Sequence, residues 1–171
     1  PWVPANYLLL ALATGAVWFT ALLAGFGMAN RPAVILALIS LLVAWAAKTL
    51  YWRSIDGAAP VATAGSATGL GDLGAVRMLD PPNTKANYLQ KEMGFRVARK
   101  HAVKLRRITH LTLFALPLIL LALGLAVDAL HALVHAVVAS VLVAFGVAIE
   151  RWLFFAEAEH TVSLYYGSTR V

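Results

Sequence analysis

Apolar residues run along this chain in four long blocks, broken by one polar stretch near its middle. The blocks cover about Tyr7 to Met28, Ala33 to Trp52, Leu111 to Leu130 and Ala132 to Phe154. Crossing the hydrocarbon layer of a bilayer takes about 20 residues of helix, and each block is long enough. Lipid offers no partner to an unpaired backbone amide, so each block is expected to be a helix. Tight connections around Asn30-Arg31-Pro32 and from Asp128 to His131 fold the blocks into hairpins. The expected fold is an all-α integral membrane protein, with four transmembrane helices as two hairpins joined by a long basic loop. In residue numbers, the hairpins occupy 1–52 and 111–155, the loop 53–110 and a tail 156–171.

The loop has three parts. SIDGAAPVATAGSA, residues 54–67, is small and polar and reads as flexible connection. A glycine-rich segment and the turn Asp80-Pro81-Pro82-Asn83 follow, where prolines forbid a helix. From Thr84 to Ile108 the pattern is helical again: Leu89, Met93, Val97, His101 and Leu105 recur every four residues, with basic side chains elsewhere around the helix. Such an amphipathic basic helix suits anionic lipid headgroups, a protein partner, or simple anchoring by charge.

Composition agrees with a membrane protein. Hydrophobic residues make up 61% of the 171 positions and charged residues only 13%, about half the share in a soluble domain. With no cysteine, the chain supplies no disulfide, zinc thiolate or iron–sulfur ligand of its own. A basic leader and a cleavage site are both missing, so the first block does not read as a signal peptide. The chain opens on PWVPANY, almost directly at a span and without an initiator Met. That reads as the middle of a longer polypeptide, with processing of the amino terminus as the alternative.

Ten of the fourteen Lys and Arg lie in the loop, and Lys48, Arg53, Lys104, Arg106 and Arg107 flank its membrane ends. The positive-inside rule therefore places the loop in the cytoplasm, and an even number of spans puts both chain ends on that side. Lys48, about a turn inside its helix, is expected to snorkel.

Within the loop, GLGDLG (Gly69 to Gly74) fits the spacing G-x-G-x-x-G. A dinucleotide turn needs a buried strand before the glycines and a helix after them. PVATAGSAT supplies no strand, and AVRMLD is cut short by Pro81-Pro82. The glycines are expected to serve tight turns or close backbone approach instead.

The same segment carries a resemblance. TGLGDLGAVRMLDPPNTKANYLQKEMGFRVARKHAVKLRRI and ERWLFFAEAEHTVSLYYG (residues 68–108 and 150–167) resemble the membrane anchor subunit of the dimethyl sulfoxide reductase family. Within it, the anchors of cytoplasm-facing sulfite dehydrogenases are the most similar. The resemblance implies a haem-free subunit in a bacterial inner membrane. That subunit would hold a molybdopterin catalytic subunit and an iron–sulfur subunit, and would exchange their electrons with ubiquinone or menaquinone. Members of that family have about eight spans, so the blocks here correspond to its carboxyl half, with an amino-terminal half to be supplied.

Candidate chemistry is sparse. His110 and His131 are about 30 Å apart along a helix, too far to share a haem. His131 and His135 have a metal-compatible i, i+4 spacing but no supporting ligands beyond Asp128. Glu157-x-x-His160 has di-iron spacing but lacks the second copy and the further glutamates that such a site requires. A quinone needs hydrogen-bond donors at its carbonyls and proton carriers reaching water; His160, Glu157 and Arg151 are suited to both. The alternative for the same cluster is an ion-paired cap that seats the tail against the loop. Arg77, Asp80, Lys85, Glu92, Arg96, Arg99, Lys100 and His101 are the candidates for contact with an iron–sulfur subunit, their mixed charge suiting register more than raw affinity. Nucleic acid is disfavoured because Tyr88 and Phe95 alone make a thin stacking platform. A transporter is disfavoured because no pair of spans is broken at corresponding positions.

Overall fold

The computed structural model describes residues 2–80, 82 and 95–168, and every regular element among them is helical. In chain order these are α1 (Trp2–Gly25), α2 (Arg31–Asp56), α3 (Ala64–Thr68), α4 (Arg96–Lys100), α5 (Ala102–Gly124), α6 (Ala129–Ala156) and α7 (Val162–Tyr165). Four of them, α1, α2, α5 and α6, are long and apolar enough to cross a membrane. They run antiparallel in two hairpins, with α1 packed on α2 and α6, and α5 packed on α6. The bundle thus has a turn end, holding both hairpin connections, and a loop end, where the loop and the tail emerge.

Small residues let these helices approach closely, as lipid-embedded helices require. The buried stripe of α2 is Ala33, Ala37, Ser40, Leu41, Ala44, Lys48 and Trp52; that of α6 includes Ala136, Ala139, Ser140, Val143, Gly146 and Glu150. Buried hydroxyls bond back to their own helix: Thr20 to the Ala16 carbonyl at 2.9 Å, Ser40 to Ala37 at 3.0 Å and Ser140 to Ala136 at 2.9 Å.

Helix boundaries follow caps rather than hydropathy. After α1, Gly27 takes a left-handed φ of 70°, and the Met28 amide reaches back to the Leu23 carbonyl at 2.8 Å, closing the helix. The Asn30 side chain then accepts from the Ala33 amide at 2.9 Å, so Arg31 and Pro32 open α2 rather than forming a connection. Asp128 likewise caps α6, placing the second turn before His131 instead of up to it. The largest shift concerns the third span, expected over 111–130 but observed as Ala102–Gly124. Its first two turns carry Lys104, Arg106 and Arg107, so the basic helix of the loop is continuous with the membrane helix. A break at His101 separates it from α4. The earlier positions of that amphipathic pattern, Leu89 and Met93, lie outside the described residues.

Inside α5, His110–Ala115 widens into a π-helical turn in which the Leu116 amide bonds to Leu111. Pro117, one residue on, has no amide for the carbonyl four residues back, which favours such a rearrangement. Gly146 of α6 sits against this wide turn, and a Cβ there would fall 2.6 Å from the Leu113 nitrogen.

The glycine-rich segment is a compact turn. Gly69 ends α3 at φ 70°, Gly71–Leu73 forms one 3-10 turn, and a Cβ on Gly65 would lie 3.0 Å from the Gly71 Cα. Helix α3 stands where a dinucleotide site needs a strand.

Candidate functional site

Polar side chains inside the bundle gather at the loop end in two tiers. The inner tier joins α2 to α6. Lys48, 1% exposed, pairs with Glu150, 0% exposed, and the other carboxylate oxygen of Glu150 accepts from Arg151 Nε. The ammonium of Lys48 also lies over the rings of Tyr51 and Trp52, at 4.4 and 4.8 Å. The guanidinium of Arg151 stacks on Tyr7 of α1 at 4.0 Å and on Phe154 at 5.2 Å. Lys48 does not snorkel: a carboxylate at its own depth holds it inward, which corrects the expectation from its position alone.

The outer tier is centred on Arg106. Its Nε donates to Glu157 at 2.8 Å, and its Nη1 donates to both oxygens of Asp56 at 2.9 and 2.7 Å. One side chain of α5 therefore ties the end of α2 to the end of α6. Arg99 adds a second tie, donating from Nε to the Ala156 carbonyl at 2.8 Å and from Nη2 to Ala158 at 3.1 Å. These are the terminal carbonyls that a helix end leaves open, and a cation is favoured there.

Beside the tiers lies an aromatic group built on His110. Trp45 Nε1 donates to His110 Nδ1 at 2.7 Å, Trp45 stacks on Phe114, and Trp52 meets His110 edge-on at 5.0 Å. With Nδ1 accepting, the neutral ring carries its proton on Nε2.

The residues expected to handle a quinone have different partners. Arg151 is held by Glu150 and Glu157 by Arg106, while His160 is half-buried with its Nε2 enclosed and unpaired among the described residues. Of the candidates for partner contact, Arg77, Asp80, Lys100 and His101 are exposed, whereas Arg99 is engaged with the tail. Lys85 and Glu92 lie outside the described residues, as does the side chain of Arg96. Asp80 also lines a cleft of about 750 Å³ between loop and tail, with Ala64, Thr68, Met78, Leu164 and Tyr165.

At the turn end, the Asp128 carboxylate accepts from the Leu130 and His131 amides, both at 3.1 Å, and contacts His131 Nδ1 at 2.7 Å. Those contacts, led by the His131 amide, hold its carboxyl below the usual carboxylate range. His135 Nδ1 is tied to the His131 carbonyl at 2.7 Å. Among the described residues no three potential ligands gather to hold a metal ion.

Sequence reasoning missed Lys48, Asp56, Arg106, His110 and the two tryptophans as one constellation. A usable clue was present: Lys48 and Glu150 are opposite charges in different apolar blocks, at similar distances from the loop. No protein-family model matches this chain, and neither the curated proteins nor the solved structures contain a match.

Proposed function

We propose that this chain is a quinone-interacting membrane anchor for a molybdenum and iron–sulfur oxidoreductase, with its loop end in the bacterial cytoplasm. One observation carries the reading: the buried charges and the enclosed ring nitrogens of the bundle lie at the loop end, where a membrane-dissolved quinone would meet aqueous protons. His160 and His110 are the ring N–H donors suited to quinone carbonyls. Glu157, Arg106 and Asp56 lead from there to water, Asp56 being 57% exposed. In the favoured reaction, sulfite and water yield sulfate, two protons and two electrons on the partner subunits. The electrons and two protons from the cytoplasmic side then convert quinone to quinol. Arg77, Asp80, Lys100 and His101 offer the iron–sulfur partner an exposed surface of mixed charge. Sulfite, like the identity of the partners, rests on the sequence resemblance alone.

A second reading, an anchor without a quinone site, is favoured by one fact: Arg151 and Glu157 are already held in ion pairs. Molybdenum and iron content of the complex isolated in mild detergent tests both readings. Stoichiometric molybdenum with several irons is expected, and metal-free complex overturns the anchor. Loss of sulfite-dependent quinone reduction in His160→Ala or His110→Ala, with metal content retained, selects the first reading; unchanged turnover in both selects the second.

A further inference from the structure

The polar atoms that the bundle encloses without a protein partner are unevenly placed. Asn6 Oδ1, Trp52 Nε1, Thr109 Oγ1, both terminal nitrogens of Arg151 and His160 Nε2 are each buried and unpaired among the described residues. All belong to the loop end: the start of α1 and α5, the end of α2 and α6, and the tail. The Arg151 nitrogens belong to the Lys48–Glu150–Arg151 cluster and Trp52 adjoins it. Trp52 lies over Lys48, and Arg151 stacks on Tyr7, one residue from Asn6. Leu113 packs on Gly146, so one turn toward the loop end the antiparallel register sets Thr109 near the level of Glu150.

The middle of the bundle and its turn end are different. Leu10, Ala13, Val17, Ala37, Leu41, Ala139 and Val143 fill the middle, the turn end holds a mainly apolar cavity of about 30 Å³ beside Thr20, Leu121 and Ala136, and the hydroxyls of Thr20, Ser40 and Ser140 are satisfied by their own helices.

We propose that the loop end holds an internal water layer that gives protons access to the Lys48–Glu150–Arg151 cluster from the loop side only, the apolar half closing it from the other. Two physical arguments support this. A buried donor or acceptor is costly to leave unpaired, and enclosed polar clusters are where internal waters sit. An ionisable pair inside a membrane segment is a usual mark of a proton or ion pathway. The outer tier forms the mouth: Asp56 faces solvent, Arg106 joins it to Glu157, and Arg106 lies over the ring of Trp52 at 5.4 Å. The ligand is water and the exchanged species a proton. The layer shares His160 and its mouth with the proposed quinone reading, but water access is measured without any quinone, so the two can fail separately.

The chain has no cysteine, so an introduced one is the sole thiol on it, and labelling is read on this chain after it is separated from the partner subunits. In the complete complex reconstituted in vesicles, a small cationic methanethiosulfonate reagent is added from the loop side to Thr109→Cys, Ser140→Cys and Leu111→Cys. Thiols react as thiolates, which need water, so Thr109→Cys is expected to react about 10-fold faster or more than the other two. Ser140 is buried in the apolar half, and Leu111 is a 54% exposed position on the outside of the bundle near the depth of Thr109. Equal rates at positions 109 and 140, or faster reaction from the turn side, overturn the proposal. If Thr109→Cys does not assemble, radiolytic hydroxyl labelling of the unaltered complex decides. Corrected for the higher intrinsic reactivity of indole, Trp52, 4% exposed, is then expected to be oxidised more than Phe114, 0% exposed, and equal corrected labelling overturns the proposal.

Discussion

The two ends of this bundle stabilise the same four helices in different ways. At the turn end each hairpin is closed locally: Gly27 and Asn30 end one helix and begin the next, and Asp128 begins α6. Little there depends on residues distant in sequence. At the loop end almost every polar contact joins distant segments: Lys48 to Glu150, Arg106 to Asp56 and Glu157, Trp45 to His110, and Arg99 to the end of α6. Turns of a few residues cannot swap partners, so local caps suffice for them. A long loop leaves α2 and α5 free to choose their register, and charged cross-links fix it. Replacing a buried pair by well-packed apolar residues is often neutral or stabilising, so we read the role of these pairs as setting register.

The sharpest way to break that contrast is to remove the shared carboxylate. Glu150→Ala strands two buried cations without their shared counter-charge, and breaking a buried pair in this way costs about 3–5 kcal/mol. Thermal or denaturant unfolding in detergent is expected to show the loss. Lys48→Met/Glu150→Gln removes one cation and keeps a hydrogen-bond acceptor for Arg151, so it should recover more than half of it. A double variant no better than Glu150→Ala would mean that the pair acts through packing and not through charge.

Legibility in the sequence divides along the same line. The four spans and both hairpins are written in local runs of apolar residues and in single cap residues, and they can be read directly. Helix over 102–108 was legible, but as a separate loop helix: Lys104, Arg106 and Arg107 interrupt the apolar pattern and hid its continuity with the span. Arg151 and Glu157 could be singled out as polar groups at a membrane edge, but their partners Tyr7 and Arg106 come from other helices, and only the packed register brings them within reach. His110 was equally visible as a residue; its fixed tautomer depends on Trp45, 65 positions away.

A milder test separates contact from composition at two glycines. Gly146→Ala puts a methyl group 2.6 Å from the Leu113 nitrogen and 2.8 Å from its Cα, both backbone atoms of the π-helical turn. Helices α5 and α6 must part, with an expected loss of about 1–3 kcal/mol. Gly15→Ala, where nothing lies within 4 Å, should instead gain about 0.5–1 kcal/mol from the lower backbone entropy of the unfolded chain. Opposite signs in unfolding assays of the two variants would confirm that the wide turn, and not glycine content, sets the approach of these helices.

The smallest effect belongs to the turn end, where pH acts on one exposed cap. The Asp128 carboxyl is held low by the His131 amide and ring, so its folded value lies beneath its unfolded one. Its contribution is then fully present above the unfolded value of about 3.9, and is lost as pH falls through the depressed folded value. Amide exchange at Leu130 and His131 should therefore show protection that is steady from neutral pH to about 4 and weakens only below it, because the cap is made by the carboxylate. Asp128→Asn keeps an acceptor and should flatten that dependence, while Asp128→Ala should lower protection at every pH. Since the cap bonds only the first turn of its own helix, the loop-end ion pairs should be untouched in either variant. Movement of those pairs on changing Asp128 would show that the two ends of the bundle are coupled, contrary to the independence that their construction implies.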